Sequence, residues 1–212
     1  MVVFHLQEEV CSNTDELCQL RRFLLPRTNE YMIDVTISLL KSIAAHDDYT
    51  LDHSINVAKY AYQIARKMTL SEKICTQTFL GGLLHDIGKI GVSQTILNKR
   101  EPLSDYEYAE IQQHPLIGYD ILQIKILKEK EIDNIALYHH ERIDGKGYPY
   151  GKRGEQIPLV AKIMSVADTY DAMTTKRPYR ADLPIEYAIQ QLRNGIGTHY
   201  DGEIVHAFIS GR

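Results

Sequence analysis

Nine histidines are spread along the 212-residue sequence, and several stand in company that suits metal chemistry. His85-Asp86 closes an apolar stretch with helical spacing, and His139-His140 closes another just ahead of a glycine-rich loop. His114 sits where Pro115 is expected to break a third helix, and His53 follows Asp52 at the opening of a fourth. Adjacent residues on a helix point about 100° apart, so a pair at a helix end can reach neighbouring coordination positions. Imidazole and carboxylate together suit zinc, manganese or iron, and several such groups around one point can hold two ions. Asp168 is an independent clue. In LVAKIMSVADTYDAMTT (159–175), Val160, Ile163, Met164, Ala167 and Ala172 mark one helix face, with Asp168 and Asp171 on or beside it. A carboxylate on a buried face is costly unless it is paired, hydrogen-bonded or metal-bound, so Asp168 is expected to have a partner.

Taken singly, each of these groups has a plainer reading. A helix-end histidine is more often a cap or a satisfied core residue, and a buried aspartate more often belongs to a cap or an ion pair. That reading is kept for His5, His46, His199 and His206. The doublets gain weight only together with Asp168 and the loop that follows His140.

The elements that must position these residues are helical nearly throughout, and the fold class expected is all-α. Apolar residues recur at helical spacings over 30–46 and 53–67. Ser71 is placed to cap a helix running to His85, and Ser104 with Glu107 forms a capping-box pattern opening a helix that stops before Pro115. Further helices are expected over roughly 129–141, over 159–174, and from Pro184 to 194, the last clear one. Between the first two of these lies IDGKGYPYGKRGEQIP (143–158), whose glycines and prolines mark a loop. Residues 1–28 are less periodic and read as an N-terminal extension ahead of a domain over 29–212.

Hydrophobic residues make up 44% of the chain, enough for a substantial core, and the net charge of −4 argues against broad binding to duplex DNA. Cys11, Cys18 and Cys75 have no zinc-like spacing and are odd in number, so no disulfide framework is expected. The opening MVVFHLQEEVC lacks the pattern of a signal peptide, and no apolar run approaches the ~18 residues of a membrane span. The expectation is a cytoplasmic protein.

The sequence resembles the HD-GYP family, a branch of the HD phosphohydrolase superfamily. The resemblance is carried by YTLDHS (49–54), LLHDIGKIGV (83–92), HPLIGYDIL (114–122), HHERIDGKGYP (139–149), IPLVAKIMSVADTYDAMT (157–174) and RPYR (177–180), in the family's order across roughly residues 30–208. It implies a compact helical bundle and a two-metal centre of iron or manganese, with zinc as the alternative. By position, His53, His85, Asp86 and Asp168 would surround one ion, and Asp86 would bridge to a second held by His114, His139 and His140. A hydroxide bridging the ions would attack phosphorus in line. Members with a third metal carry a glutamate where this chain has Tyr49, so a binuclear site is expected. Lys89 matches the lysine of the family's HDxGK motif and is expected to contact a phosphate or the bridging hydroxide. Asp171 is expected to orient Lys89 or a ligand histidine.

The implied reaction is hydrolysis of cyclic di-GMP to linear pGpG, with slow or no further cleavage to GMP. Tyr148, Arg177 and Arg180 are the expected substrate contacts, and Gly145 and Gly147 would let the backbone approach the ligand. Two alternatives stand beside this reading: a cyclic GMP-AMP phosphodiesterase, and an inactive cyclic-dinucleotide sensor or docking module. Expected partners beyond the cyclic dinucleotide are a sensory or cyclase-domain protein and a second copy of the chain, through residues 1–45.

Overall fold

The computed structural model describes residues 16–46, 50–128, 131–175 and 183–210. Among them the chain forms α1 (Glu16–Leu24), α2 (Glu30–His46), α3 (Thr50–Lys67), α4 (Glu72–Leu84), α5 (Gln94–Leu97), α6 (Asp105–Ile111), α7 (His114–Ile121), α8 (Lys125–Lys128), α9 (Ile132–Tyr138), α10 (Leu159–Thr174), α11 (Ile185–Asn194) and α12 (Gly202–Ile209). A 3-10 turn spans Ile87–Gly91, and the only pairings outside helices among the described residues are two isolated bridges. The all-α expectation therefore holds.

Local signals place most helix ends. Ser71 Oγ accepts from the Ile74 N–H at 3.4 Å, and the Ser104–Glu107 box is closed in both directions, at 3.3 and 2.8 Å. α2 and α10 have the expected bounds. Three readings are corrected. The helix expected over 129–141 is the shorter α9, preceded by a separate α8. Pro115 opens α7 instead of breaking a helix, because a first-turn residue needs no intrahelical N–H partner. A last helix, α12, follows α11; Asp201 caps it by accepting from the Glu203 N–H at 3.0 Å, and Ile204, Val205 and Phe208 are buried.

The apolar faces form two cores that share α3. Leu24, Met32, Leu40, Leu80 and Leu84 centre the first, which α1 joins through Leu20 and Leu24. Ile64, Met164, Leu192 and Phe208 centre the second. Each fully buried side chain of this size stabilises the fold by about 1.5–3 kcal/mol. Ile55 and Ala58 of α3 face the first core, while Val57, Ala61 and Ile64 face the second. His53, in the first turn of α3, thus lies at the seam where the ends of α4 and α9 and the middle of α10 converge. Cys75 is free and buried. No helix among the described residues is long and apolar enough to cross a membrane.

Candidate metal centre

All seven histidines and aspartates expected as ligands come to this seam. His85 caps the C-terminus of α4, and Asp86 follows it ahead of the 3-10 turn. His114 is the first residue of α7; His139 caps α9, with His140 next; Asp168 lies on α10. His53, His85, Asp86, His114 and His139 are buried, and His140 and Asp168 are partly so. Gly88 lets the 3-10 turn touch α7: a Cβ there would lie 1.9 Å from the His114 carbonyl oxygen.

The helix ends fix the ring orientations. Nδ1 of His85, His114 and His139 lies 2.8, 2.7 and 2.7 Å from the carbonyls of Gly82, Ile111 and Ala136, each three residues earlier. A carbonyl can only accept, so Nδ1 carries the proton and the Nε2 lone pair faces the centre. As a result His114 Nε2 and His139 Nε2 face each other at 3.3 Å as two acceptors. His85 Nε2 is buried without a hydrogen-bond partner. Such lone pairs are satisfied by a cation, and this donor set fits one.

Asp86 divides the cluster. Its Oδ2 lies 3.6 Å from His53 Nε2 and 3.4 Å from His85 Nε2, while its Oδ1 lies 3.3 Å from His114 Nε2 and 3.8 Å from His139 Nε2. Ligand atoms of His53, His85 and Asp86 are mutually close enough for one ion, as are those of Asp86, His114, His139 and His140. Asp168 Oδ1 adds to the first group, 3.2 Å from His53 Nε2 and 3.9 Å from His85 Nε2. Lys89 hydrogen-bonds Asp86 Oδ2 through its ammonium group. Asp171 accepts from His53 Nδ1 at 2.7 Å and from the Thr175 hydroxyl at 2.8 Å, so of its two expected targets it meets the histidine.

The electrostatics differ across Asp86. Burial opposes the charged form of His53, but Asp168 and Asp171 overcome it and lift its pKa to about 9. Burial, with little carboxylate to offset it, pushes His114 down to about 4 and His140 to about 3, and holds His139 well below the usual range. Asp86 is held far below the usual carboxylate range: burial opposes this, but Lys89 and the surrounding histidines prevail.

The loop after His140 is held by a residue the sequence reading passed over. Glu141 is buried, and its carboxylate accepts the backbone N–H groups of Tyr150 at 2.8 Å and Lys152 at 2.9 Å. Its place directly after the His-His pair, ahead of a glycine loop, was the available signal. Tyr148 stacks on His140, ring centroids 4.7 Å apart and planes 26° from parallel. Gly145 and Gly147 serve the packing of the loop itself: Gly147 abuts the His140 carbonyl and the Arg142 backbone, and Gly145, at φ +76°, abuts Arg153. Arg177, Arg180 and Tyr49 lie outside the described residues.

A helical seam of histidines and aspartates around an His-Asp doublet defines the class: the HD-domain family profile matches residues 27–204, and the chain belongs to that family. Within it, the chain is a member of the HD-GYP branch. It is 38% identical over 177 residues to a cyclic di-GMP phosphodiesterase of Pseudomonas aeruginosa, covering 82% of this chain and 41% of the relative. It is 37% identical over 179 residues to a 3'3'-cGAMP-specific phosphodiesterase of Vibrio cholerae, covering 84% of this chain and 39% of the relative. Its fold is similar to that of an HDG"Y"P protein from Bdellovibrio bacteriovorus, with a TM-score of 0.60 at 23% identity, covering 74% of this chain and 50% of the other. The chain spans about two-fifths of the length of these two curated relatives.

Proposed function

We propose that residues 29–212 form a metal-dependent phosphodiesterase domain that hydrolyses cyclic di-GMP to linear pGpG. The observation that carries this reading is the division of Asp86, whose two oxygens face two separate sets of imidazole nitrogens. His53, His85, Asp86 and Asp168 would hold one divalent cation, and Asp86, His114, His139 and His140 the other, with iron or manganese preferred over zinc for this mixed donor set. Two cations so held supply Lewis acidity toward a phosphodiester and make water acidic enough to attack it at neutral pH.

The chain's own residues do the rest. Asp171 fixes the ring of His53, and the helix-end carbonyls fix His85, His114 and His139. Lys89, beside Asp86, is placed to neutralise a phosphoryl oxygen. Tyr148 borders the centre against His140, and Arg177 and Arg180 are proposed to grip the second phosphate. With Tyr49 in place of a carboxylate, the site is proposed to be binuclear and to stop at pGpG. A sensory or cyclase domain elsewhere, and pairing of two copies, remain part of the proposal for the whole protein, as does a cytoplasmic location. Cyclic GMP-AMP hydrolysis is the second reading, favoured by the 37% identity to the Vibrio relative.

Product chromatography after incubating cyclic di-GMP with anaerobically prepared, Fe(II)- or Mn(II)-loaded chain, beside Asp86→Ala, tests the proposal. Formation of pGpG by the native chain alone supports it. Rapid GMP formation would overturn the binuclear reading, and no product from fully loaded chain would overturn the catalytic one.

A further inference from the structure

α10, which carries Asp168, borders with α11 and the loop over 198–200 an open groove of about 400 Å³ that the metal chemistry does not use. Its walls include Thr169, Tyr187, Gln191, Asn194, His199 and Tyr200. Thr169 directly follows Asp168 on α10, so the cavity begins about 100° around that helix from the carboxylate facing His53. Tyr200 rests its phenol against the Thr169 hydroxyl, near enough to Asp168 to feel its charge. The loop at its rim is tied to the loop after His140: the Asp144 N–H donates to the Thr198 carbonyl at 2.9 Å, and the Ile143 N–H to the His199 carbonyl at 3.5 Å. The cavity therefore adjoins α10 and the loop after His140, two elements that also carry groups of the centre.

The chemistry of the lining selects its occupant. Three flat rings and two side-chain amides border the space, and no lysine or arginine is among its described lining residues. His199 adds no charge near neutrality, because burial and then Arg142 lower its pKa. With no cation in the lining itself, a phosphate is poorly matched, whereas a neutral planar group with hydrogen-bonding edges finds both stacking faces and partners. Gln190 Nε2 donates to Asn194 Oδ1 at 2.9 Å, which leaves the Asn194 amide nitrogen as a donor. Such a donor can pair with the O6 or N7 acceptor of a guanine.

We infer that this cavity is a base subsite, receiving a guanine of the cyclic dinucleotide whose phosphodiester lies at the Asp86 centre. The inference rests on the phosphodiesterase reading and adds residues that select the substrate. Tyr187 supplies the stacking face and Asn194 reads the base edge. Both are exposed positions of α11, so their substitution leaves the cores intact.

The test measures KM for cyclic di-GMP and the rate on bis(p-nitrophenyl) phosphate, a diester too small to bridge centre and cavity, with Mn(II)-loaded native, Tyr187→Ala and Asn194→Ala chains. Calorimetric titration with cyclic di-GMP accompanies it. The expected result is an approximately ten-fold rise in KM and Kd for cyclic di-GMP in each variant, with the small diester turned over at the native rate. Unchanged KM and Kd in both variants would overturn the subsite while leaving the enzyme reading standing. Equal losses on both substrates would overturn it too, since the residues would then be acting on the centre. If the native chain hydrolyses neither diester, the catalytic reading fails by itself, and weaker binding by the variants would still support the subsite.

Discussion

The two sides of Asp86 are built on opposite electrostatic plans. On the α3–α10 side, His53 and His85 share the space with Asp86 Oδ2 and Asp168, and Asp171 stands behind His53. On the α7–α9 side, His114 and His139 face Asp86 Oδ1, and His140 completes a group whose one carboxylate is Asp86. The first side draws positive charge strongly enough to raise the pKa of His53. The second keeps its histidines neutral by burial and offers lone pairs held in place by helix-end carbonyls. One side would thus attract a cation by charge and the other by preorganised neutral donors, with Asp86 standing between them.

The largest expected effect breaks the comparison at that shared residue. Asp86→Ala should empty both sides together: metal analysis should find both ions lost, and hydrolysis should fall by more than the ~100-fold typical of losing an outer partner. Retention of one full equivalent of metal would show that Asp86 does not serve both sides. Next in size, Asp171→Asn should act on the carboxylate-rich side alone, weakening one ion by about 10–100-fold through the lost hold on His53 while the other ion stays. Parallel weakening of both ions would erase the distinction.

Glu141→Ala sharpens the histidine-rich side. It strips two loop N–H groups of their acceptor, which should cost about 1–3 kcal/mol in denaturant unfolding. It should also raise KM by loosening the loop that carries Tyr148 onto His140, with metal content unchanged. Native unfolding free energy in this variant would show that the clamp contributes nothing. The smallest effect is an acid one. Lys99 and the Ser104 cap hold Glu107 down to about 2, from an ordinary value of 4.5. A depressed carboxylate stabilises above its unfolded pKa, so its contribution is present above about 4.5 and fades as pH falls toward 2. The group is on the surface and solvent-screened, so the loss is small. Because α6 ends at Ile111, whose carbonyl orients His114, amide exchange in α6 should rise over that pH window in the native chain and less so in Glu107→Gln.

Much of this was legible in one dimension. The bounds of α2 and α10, the Ser71 cap and the Ser104–Glu107 box all follow from signals within a few residues of each other, while the seven histidines and aspartates are singled out as a set by the resemblance of whole motifs. α12 was legible too: Asp201 ahead of Ile204, Val205 and Phe208 has both cap and helical spacing. Pro115 was misjudged because a proline that ends one helix and one that begins the next look alike until the neighbouring turn is known.

Other features belong to tertiary structure. Whether Asp171 would meet Lys89 or a histidine depended on α10 packing across α3, which brings it to His53, 118 positions away. The split of Asp86 between two sets of nitrogens, the grip of Glu141 on Tyr150 and Lys152, and the cavity between α10 and α11 arise in the same way. Helix periodicity and capping are encoded within one or two turns, so the sequence alone determined which residues could ligate and which segments would carry them. Which ligand faces which, and what lies beside them, is set by how helices distant in the chain bury their apolar faces against one another, and only the folded molecule decides it.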